Sequence, residues 1–218
     1  MVKIAVLASG RGSNFQAIID SIENGYIKNA GLDILITDNK EAFAIKRAEK
    51  HGIDSVCLDP AKSGSKDEYF AGIAEMLSVR GIGLIALAGF MRIVRRPLIN
   101  VFRNKIINIH PALLPAFPGL HGQRQALDYG VKLAGCTVHF VDEGMDTGPI
   151  IIQAAVPVFS DDSESSLSER ILGYEHRIYP YAIRLFVEGR IEIMGRKVVI
   201  RDEEKELSNI MNPPPDVK

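Results

Sequence analysis

Residues 2–19 are VKIAVLASGRGSNFQAII, and this stretch decides which fold to expect. Val2 to Ala8 is a short apolar run, typical of a strand that is buried on both faces. Ser9 and Gly10 end the run, and apolar residues then recur at helical spacing from Phe15 onward. The stretch is therefore predicted to form a strand, a glycine-rich turn and a helix, which together make the first β-α unit.

The same alternation continues through the first half of the chain. Apolar runs and helical spacing predict a strand at 32–37, a helix at 42–50, a strand at 53–58, a helix at 65–79 and a strand at 82–88. Strands and helices that alternate in this way are typical of a parallel sheet with right-handed crossovers and helices on both faces.

The pattern changes after Gly89. The predicted elements are then a short helix at 98–102, a strand at 105–110, a proline-rich loop from Pro111, an antiparallel strand pair at 133–141 and 149–158, a helix at 166–189 and a hairpin at 191–200. Pro180 is expected to kink or split the long helix. The predicted fold class is α/β, with a Rossmann-like open sheet that is mostly parallel in its N-terminal half and has an antiparallel C-terminal extension.

Composition excludes several classes of function. The 218 residues are 46 % hydrophobic and carry a formal net charge of −1, so no overall positive field favours nucleic acid or an anionic membrane as a partner. Cys57 and Cys136 are far apart and lack metal or redox spacing, and no histidine pattern suggests a metal site. With no apolar run of membrane-spanning length and no signal-like start, we expect a cytoplasmic protein without a metal.

The glycine-rich turn is predicted to bind a phosphate. Gly10 and Gly12 match the start of a dinucleotide fingerprint, but Phe15 occupies the position of its third glycine. Ser13 and Gln16 form a capping box, with Ser13 as the expected N-cap. Because the capping box does not account for the two glycines, we expect exposed N–H groups at the helix N-terminus to hold a phosphate monoester.

Asn108 and His110 are the candidate catalytic residues. They are two positions apart on a predicted strand, so both side chains leave the same face, at the carboxyl end where α/β sheets bind ligands. An amide donor and a protonated imidazole can stabilise an oxyanion and pass a proton. The acid that such a histidine needs could be Asp142, Glu143 or Asp146, and spacing does not choose among them. A structural histidine and a solvated acidic turn are the alternative interpretation.

Four motifs together resemble the glycinamide ribonucleotide formyltransferase family, the folate-dependent enzymes of purine synthesis: SGRGSN, AGFMRIV, NIHPALLPAFPGLHGQRQAL and HFVDEGMDTGPII. The resemblance extends over about residues 3–200. It implies direct formyl transfer from 10-formyltetrahydrofolate to the amine of phosphoribosylglycinamide through a tetrahedral intermediate, with Asn108, His110 and Asp146 as the catalytic residues. It also suggests a cis peptide bond between Leu114 and Pro115.

The resemblance also implies which residues bind the two substrates. Those expected to bind the ribonucleotide are Gly12, Ser13, Asn14 and Glu175. Those expected at the folate are Lys66, Met91, Arg92, Ile93, Val94, Asn108, Val141 and Asp146, with Lys66 at a position where the family commonly has arginine. We expect one domain, residues 1–202, with a phosphate-binding half at 1–100 and a folate and catalytic half at 101–202. Residues 203–218 are expected to be a flexible tail.

Other functions remain open from the sequence. Formyltetrahydrofolate hydrolase needs no phosphate site, and methionyl-tRNA formyltransferase usually carries a further basic domain. A non-catalytic nucleotide-binding module would keep the glycine-rich turn but would not need Asn108 and His110. The expected partners are small-molecule substrates rather than nucleic acid or a membrane, and a homodimer is allowed for.

Overall fold

The computed structural model describes residues 1–202, which form a seven-stranded sheet and a separate two-stranded hairpin. The predicted tail, residues 203–218, lies outside the described residues. The strands of the main sheet are β1 (Val2–Leu7), β2 (Ala30–Thr37), β3 (Asp54–Cys57), β4 (Leu84–Leu87), β5 (Ile106–His110), β6 (Leu133–Phe140) and β7 (Ile150–Pro157), and the hairpin is β8 (Ile191–Met194) and β9 (Lys197–Ile200).

Six α-helices accompany these strands in residues 1–202. They are α1 (Ser13–Glu23), α2 (Phe43–Lys50), α3 (Lys66–Val79), α4 (Arg96–Val101), α5 (Gly122–Tyr129) and α6 (Glu164–Val187), and a single 3-10 turn spans Pro60–Lys62. The predicted strands and helices are all present, with ends shifted by a few residues. Helix α5 was not predicted, because its eight residues are mostly polar and bury only Gly122 and Ala126.

The strand order confirms the predicted fold class. The sheet runs β3-β2-β1-β4-β5-β6-β7; its first five strands are parallel, and β6 and β7 are antiparallel to their neighbours. The order reverses at β1, which has β2 on one side and β4 on the other. Ligands of open α/β sheets bind at such a reversal, beyond the carboxyl ends of the strands.

The two faces of the sheet are covered differently. Helices α1, α2 and α6 pack over one face with a buried apolar cluster that reaches from β2 to β7. Helices α3 and α4 cover the other face, over β2, β1 and β4 and as far as Ile106 at the start of β5. None of the helices in residues 1–202 is long and apolar enough to cross a membrane.

The predicted capping box at α1 is wrong. Gly12 is the N-cap residue, in the left-handed conformation with φ 67°, and Ser13 is already the first helical residue. The Gln16 side chain points away from the cap: its amide nitrogen donates to Asp20, and its oxygen accepts from Arg47 of α2. Packing of the turn against α2 therefore decides the start of the helix, rather than a local side-chain cap.

Pro180 does not split the long helix. Helix α6 is continuous from Glu164 to Val187, although a proline removes one N–H donor from its interior. Buried residues on both sides of the proline, including Ile171 and Ile183, hold the helix against the sheet. Tertiary packing thus outweighs the local cost of the proline.

Asp162 anchors the connection between β7 and α6. Both of its carboxylate oxygens accept hydrogen bonds from Arg170 at 2.7 Å, and one also accepts from the Phe159 N–H at 2.8 Å. The Arg170 guanidinium above all holds the pKa of Asp162 well below its usual range. A carboxyl whose pKa is lowered by folding stabilises the folded protein above the pKa of the unfolded chain, and this contribution is lost as the pH falls.

We therefore predict that Asp162→Asn lowers the free energy of unfolding by about 2 kcal/mol at pH 7, with a smaller difference from the wild type as the pH is lowered below about 4. Urea unfolding at several pH values measures this. The matched control is Asp128→Asn, because Asp128 forms an exposed ion pair with Arg124. Its expected effect is below about 0.5 kcal/mol; equal losses in the two variants would contradict the prediction.

Candidate active site

The loops that follow β1 and β4 meet at the reversal of strand order. The Ser9 N–H donates to the Gly89 carbonyl oxygen at 3.0 Å, and the Met91 N–H donates to Ser9 Oγ at 3.0 Å. The glycine-rich turn after β1 is thereby joined to the segment after β4. Met91, which is predicted to bind the folate, is therefore bonded to the residue that begins the glycine-rich turn.

The glycine-rich turn is held against α2. Arg47 Nε donates to the Arg11 carbonyl oxygen at 3.0 Å, and the Ala44 N–H donates to the Gly10 carbonyl oxygen at 3.1 Å. A Cβ on Gly12 would lie 2.8 Å from the Cβ of Ala44, so only glycine fits there.

The start of α1 offers unused backbone donors. The Gln16 N–H donates to the Gly12 carbonyl oxygen, which makes it the first helical N–H with an intrahelical partner. The N–H groups of Ser13, Asn14 and Phe15 precede that bond, so they have no acceptor within the helix. Such groups at a helix N-terminus are suited to a phosphate.

Asn14 and Glu175 form a buried polar pair beside the turn. Asn14 Nδ2 donates to Glu175 Oε2 at 2.7 Å, while Asn14 Oδ1 is buried without a hydrogen-bond partner. Burial raises the pKa of Glu175, and the Asn14 amide only partly offsets this effect. The pair therefore combines a buried carboxyl group with an acceptor oxygen that still lacks a donor.

Four polar side chains share one face of the β5–β6 pair. Asn108 is paired with His139 across the two strands, and His110 is paired with Thr137. Directly paired residues of antiparallel strands lie on the same face. This is the face that α3 and α4 cover only up to Ile106, so the polar residues lie beyond the helical layer. The intervening residues, such as Ile107 and Val138, point into the core on the α6 side.

Asp146 is the acidic residue of the turn that lies against His110. The family resemblance implied this residue, whereas sequence spacing did not choose among Asp142, Glu143 and Asp146. Asp146 Oδ2 is 3.4 Å from His110 Nδ1 and accepts a hydrogen bond from the Gly119 N–H at 2.8 Å. His110 Nε2 is 2.9 Å from the Phe117 carbonyl oxygen. Because a carbonyl oxygen can only accept, Nε2 carries a proton, and a second proton taken up by the ring is placed at Nδ1, facing Asp146.

His139 contacts the other side of the same carboxylate and orients Asn108. Its Nδ1 is 2.8 Å from the Phe140 carbonyl oxygen, so Nδ1 carries the proton of the neutral ring. In the neutral ring Nε2 accepts from Asn108 Nδ2 at 3.2 Å, and in the protonated ring the Nε2–H faces Asp146 Oδ1 at 3.6 Å. One amide hydrogen of Asn108 is thus directed at His139, which leaves the other hydrogen for a substrate oxygen.

The carboxylate of Asp146 is kept ionised by these neighbours. Burial alone would raise the pKa of Asp146, but the His139 imidazole, the Gly119 N–H and the His110 imidazole outweigh it, and the net pKa is lowered. A carboxylate that stays ionised can balance a positive charge on His110. The same residue has a positive φ of 56°, a backbone conformation that aspartate adopts more readily than most non-glycine residues.

The proline-rich loop after His110 is hydrogen-bonded to the polar face of the β5–β6 pair. Thr137 Oγ1 donates to the Ala112 carbonyl oxygen at 2.7 Å and accepts from the Leu114 N–H at 3.1 Å. Gln153 Nε2 donates to the Leu114 carbonyl oxygen at 2.9 Å. The Leu114–Pro115 peptide bond is cis, as the resemblance suggested.

Reasoning from the sequence missed the supporting residues Thr137, His139 and Gln153. A signal was present, because Thr137 and His139 alternate with apolar neighbours along β6 as Asn108 and His110 do along β5. Only the strand register shows that the two alternations face each other.

The residues predicted for folate binding surround this cluster only in part. Met91 and Ile93 are exposed apolar side chains after β4, whereas Val94 is buried. Val141 directly follows β6 and donates its N–H to the Ile106 carbonyl oxygen at 2.9 Å. Arg92 forms an ion pair with Asp38, at the end of β2. Lys66 is exposed at the first position of α3, and no described contact links it to the cluster.

The arrangement is suited to acyl transfer. It provides an amide donor, an imidazole that faces a carboxylate, and backbone donors for an anion at the neighbouring helix. Within residues 1–202, no group of three or more His, Cys, Asp and Glu side chains is positioned to hold a metal ion.

Comparison with known proteins defines the class. The family model described as formyl transferase matches residues 2–183, and the chain belongs to that family. Its relatives point to a particular branch. It is 45 % identical over 185 residues to the phosphoribosylglycinamide formyltransferase of Bacillus subtilis, a match that covers 84 % of this chain and 94 % of that enzyme.

Two further relatives agree. The chain is 44 % identical over 188 residues to the trifunctional purine biosynthetic protein adenosine-3 of Drosophila melanogaster; this match covers 86 % of the chain but only 14 % of the longer fly protein. The crystal structure of glycinamide ribonucleotide transformylase 1 from Symbiobacterium toebii superposes with a TM-score of 0.91 at 53 % identity, covering 93 % of this chain and 95 % of that one.

The geometry of the glycine-rich turn predicts different effects for its two glycines. Gly12→Ala should weaken phosphate-monoester binding by about tenfold or more, because the added methyl group meets Ala44 and the positive φ disfavours alanine. Gly10→Ala is the matched control, since a Cβ there meets nothing within 4 Å. Calorimetric titration with a ribose 5-phosphate measures both affinities, and equal affinities in the two variants would rule out the proposed role of the turn.

Proposed function

We propose that this chain transfers a formyl group from 10-formyltetrahydrofolate to the amine of phosphoribosylglycinamide, a step of purine synthesis. The observation that carries the proposal is the cluster of Asn108, His110 and Asp146 beside a phosphate-binding turn, in a chain of the formyl transferase family. Hydrolysis of formyltetrahydrofolate would not need the phosphate-binding turn, and a non-catalytic nucleotide-binding module would not need the cluster of Asn108, His110 and Asp146.

The ribonucleotide is bound by the start of α1 and by α6. The N–H groups around Gly12, Ser13 and Asn14 receive its phosphate. Glu175, whose carboxyl group is buried next to Asn14, lies on the side of the glycinamide amine. The unpartnered Asn14 Oδ1 supports this assignment, because a buried acceptor of that kind is expected to receive a donor from a ligand.

In the transfer, 10-formyltetrahydrofolate supplies the formyl carbon, and the glycinamide nitrogen forms a bond to it. The formyl oxygen then becomes an oxyanion. The free amide hydrogen of Asn108 donates to this oxygen, and protonated His110, whose Nδ1–H faces Asp146, stabilises the oxyanion through its positive charge. The amine loses one proton, the former formyl-bearing nitrogen gains one, and that carbon–nitrogen bond breaks.

Asp146 acts through its charge and its position. The ionised carboxylate, 3.4 Å from His110 Nδ1, stabilises the imidazolium and accepts protons relayed from the amine through water. The rigid alignment of both substrates supplies a further part of the rate enhancement. No covalent enzyme intermediate is required.

The folate is placed between the two halves of the same domain. We assign its pocket to the backbone of Met91, Arg92, Ile93 and Val94, to Val141 and to the turn that contains Asp146, with Lys66 toward its outer end. The exposed apolar side chains of Met91 and Ile93 support this placement, because a flat aromatic ligand would cover them. Residues 1–100 hold the phosphate and contribute Lys66 and residues 91–94 to the folate pocket, and residues 101–202 contribute the catalytic groups and the rest of that pocket. That the protein forms a homodimer remains a prediction.

The proposed reaction can be tested by changing the substrate that accepts the formyl group. Release of tetrahydrofolate, measured by absorbance, should require phosphoribosylglycinamide. It should be at least about 100-fold slower with charged initiator tRNA or with water alone, because only the ribonucleotide has a phosphate that anchors its amine next to the formyl carbon. Turnover that is unaffected by the ribonucleotide would favour the hydrolase and contradict the proposal.

Removing either catalytic side chain should slow the reaction strongly. Asn108→Ala and His110→Ala are each expected to lower kcat by about 100-fold or more, the usual effect of losing one oxyanion donor, while circular dichroism and the melting temperature stay close to the wild type. His51→Ala is the matched control, since His51 pairs with Glu23 away from the cluster. Near-normal turnover in either catalytic variant would refute its assigned role.

A further inference from the structure

Tyr179 of α6 reaches through the core to the ends of two strands. Its side chain is fully buried, and its hydroxyl oxygen is 2.9 Å from the Leu87 carbonyl oxygen and 3.2 Å from the Ile107 carbonyl oxygen. Both carbonyl groups accept, so the single hydroxyl hydrogen is shared between β4 and β5. No step of the proposed mechanism uses this tyrosine.

The two carbonyl groups lie where the pairing of β4 with β5 ends. The ladder between β4 and β5 ends at the pair of Leu87 and Asn108. Ile107 directly precedes Asn108, so a shift of the Ile107 peptide group also moves the side-chain amide of Asn108. The hydroxyl therefore joins the two strands at the point where their own hydrogen bonding stops.

Helix α6 is attached to the site in two places. One turn before Tyr179, Glu175 accepts a hydrogen bond from Asn14 of α1. The same helix thus connects the phosphate-binding turn to the strand that carries the candidate catalytic residues. Full burial, with a smaller effect of Glu175, raises the pKa of Tyr179 well above its ordinary value. The phenol consequently remains a donor throughout the working pH range.

We propose that Tyr179 is a positioning residue for formyl transfer, which fixes the Asn108 amide relative to β4 by bridging the carbonyl oxygens of Leu87 and Ile107. The inference rests on the proposed function. The aromatic ring fills the core, and the hydroxyl orients Asn108. Loss of the hydroxyl alone should leave both substrate sites in place and should mainly affect the chemical step.

The first test is Tyr179→Phe, which removes only the hydroxyl. We expect kcat to fall about tenfold, comparable to the effect of one buried hydrogen bond, with both KM values within about twofold of the wild type. Tyr181→Phe is the matched control, because Tyr181 lies two residues further along α6, is only half-buried and lines a cavity beside β7. Its turnover should equal that of the wild type.

A double-mutant cycle shows whether Tyr179 acts through Asn108. In an Asn108→Ala background, Tyr179→Phe should lower the remaining kcat by less than about twofold, because there is no amide left to position. A full tenfold loss in that background would overturn the inference, as would a Tyr179→Phe enzyme that is less stable but has normal kcat. A wild-type protein without formyl transfer would instead refute the proposed function itself, so the two failures are distinguishable.

Two unnatural residues keep the test available if Tyr179→Phe does not fold. Incorporating 4-fluorophenylalanine at position 179 nearly fills the volume of the hydroxyl but provides no donor, so it should show the same tenfold loss. Incorporating 4-aminophenylalanine restores an N–H donor at the same place and should recover most of kcat. Equal turnover with both replacements would contradict a role for the hydrogen bond.

Discussion

The candidate active site depends on one constraint, which is the division of the β5–β6 pair into an apolar face and a polar face. The apolar residues of both strands pack under α6. The polar face extends beyond Ile106, where α3 and α4 stop covering the sheet. A pleated strand cannot move one side chain to the other face without a change of register, so burial on the α6 side determines where Asn108 and His110 point.

The opposite face is completed by loops rather than by a helix. Thr137 holds the loop that contains the cis peptide bond, and Phe117 and Gly119 of the following segment contact His110 and Asp146. The loop supplies a carbonyl group to the His110 ring and an N–H group to Asp146, and the interior of a helix would satisfy such groups internally.

Helix α6 gives this site a rigid support. It packs on the sheet over its length, contacts Asn14 through Glu175 and reaches β4 and β5 through Tyr179. The glycine-rich turn and strand β5 belong to distant parts of the chain. Their common attachment to one helix fixes the start of α1 relative to the side chains on β5.

Much of this architecture could be predicted. The β-α alternation and the two-residue spacing of Asn108 and His110 followed from local patterns, since side-chain periodicity within one element depends only on its own backbone. The choice of Asp146 required a family resemblance, because three acidic residues share one turn and spacing does not separate them. His139 and Gln153 were missed, and the capping box was wrong, because each depends on contacts with another element.

Apart from helix α5, the sequence by itself determined the elements, their order, the exposed N–H groups at the start of α1 and the common face of Asn108 and His110. Only the tertiary structure decided which groups meet that face: the register of β6 places His139 opposite Asn108, and the turn after β6 brings Asp146 to both rings. The reason is physical. Periodicity along a strand is a local property, whereas contacts between strands depend on how apolar surfaces far apart in the chain are buried together.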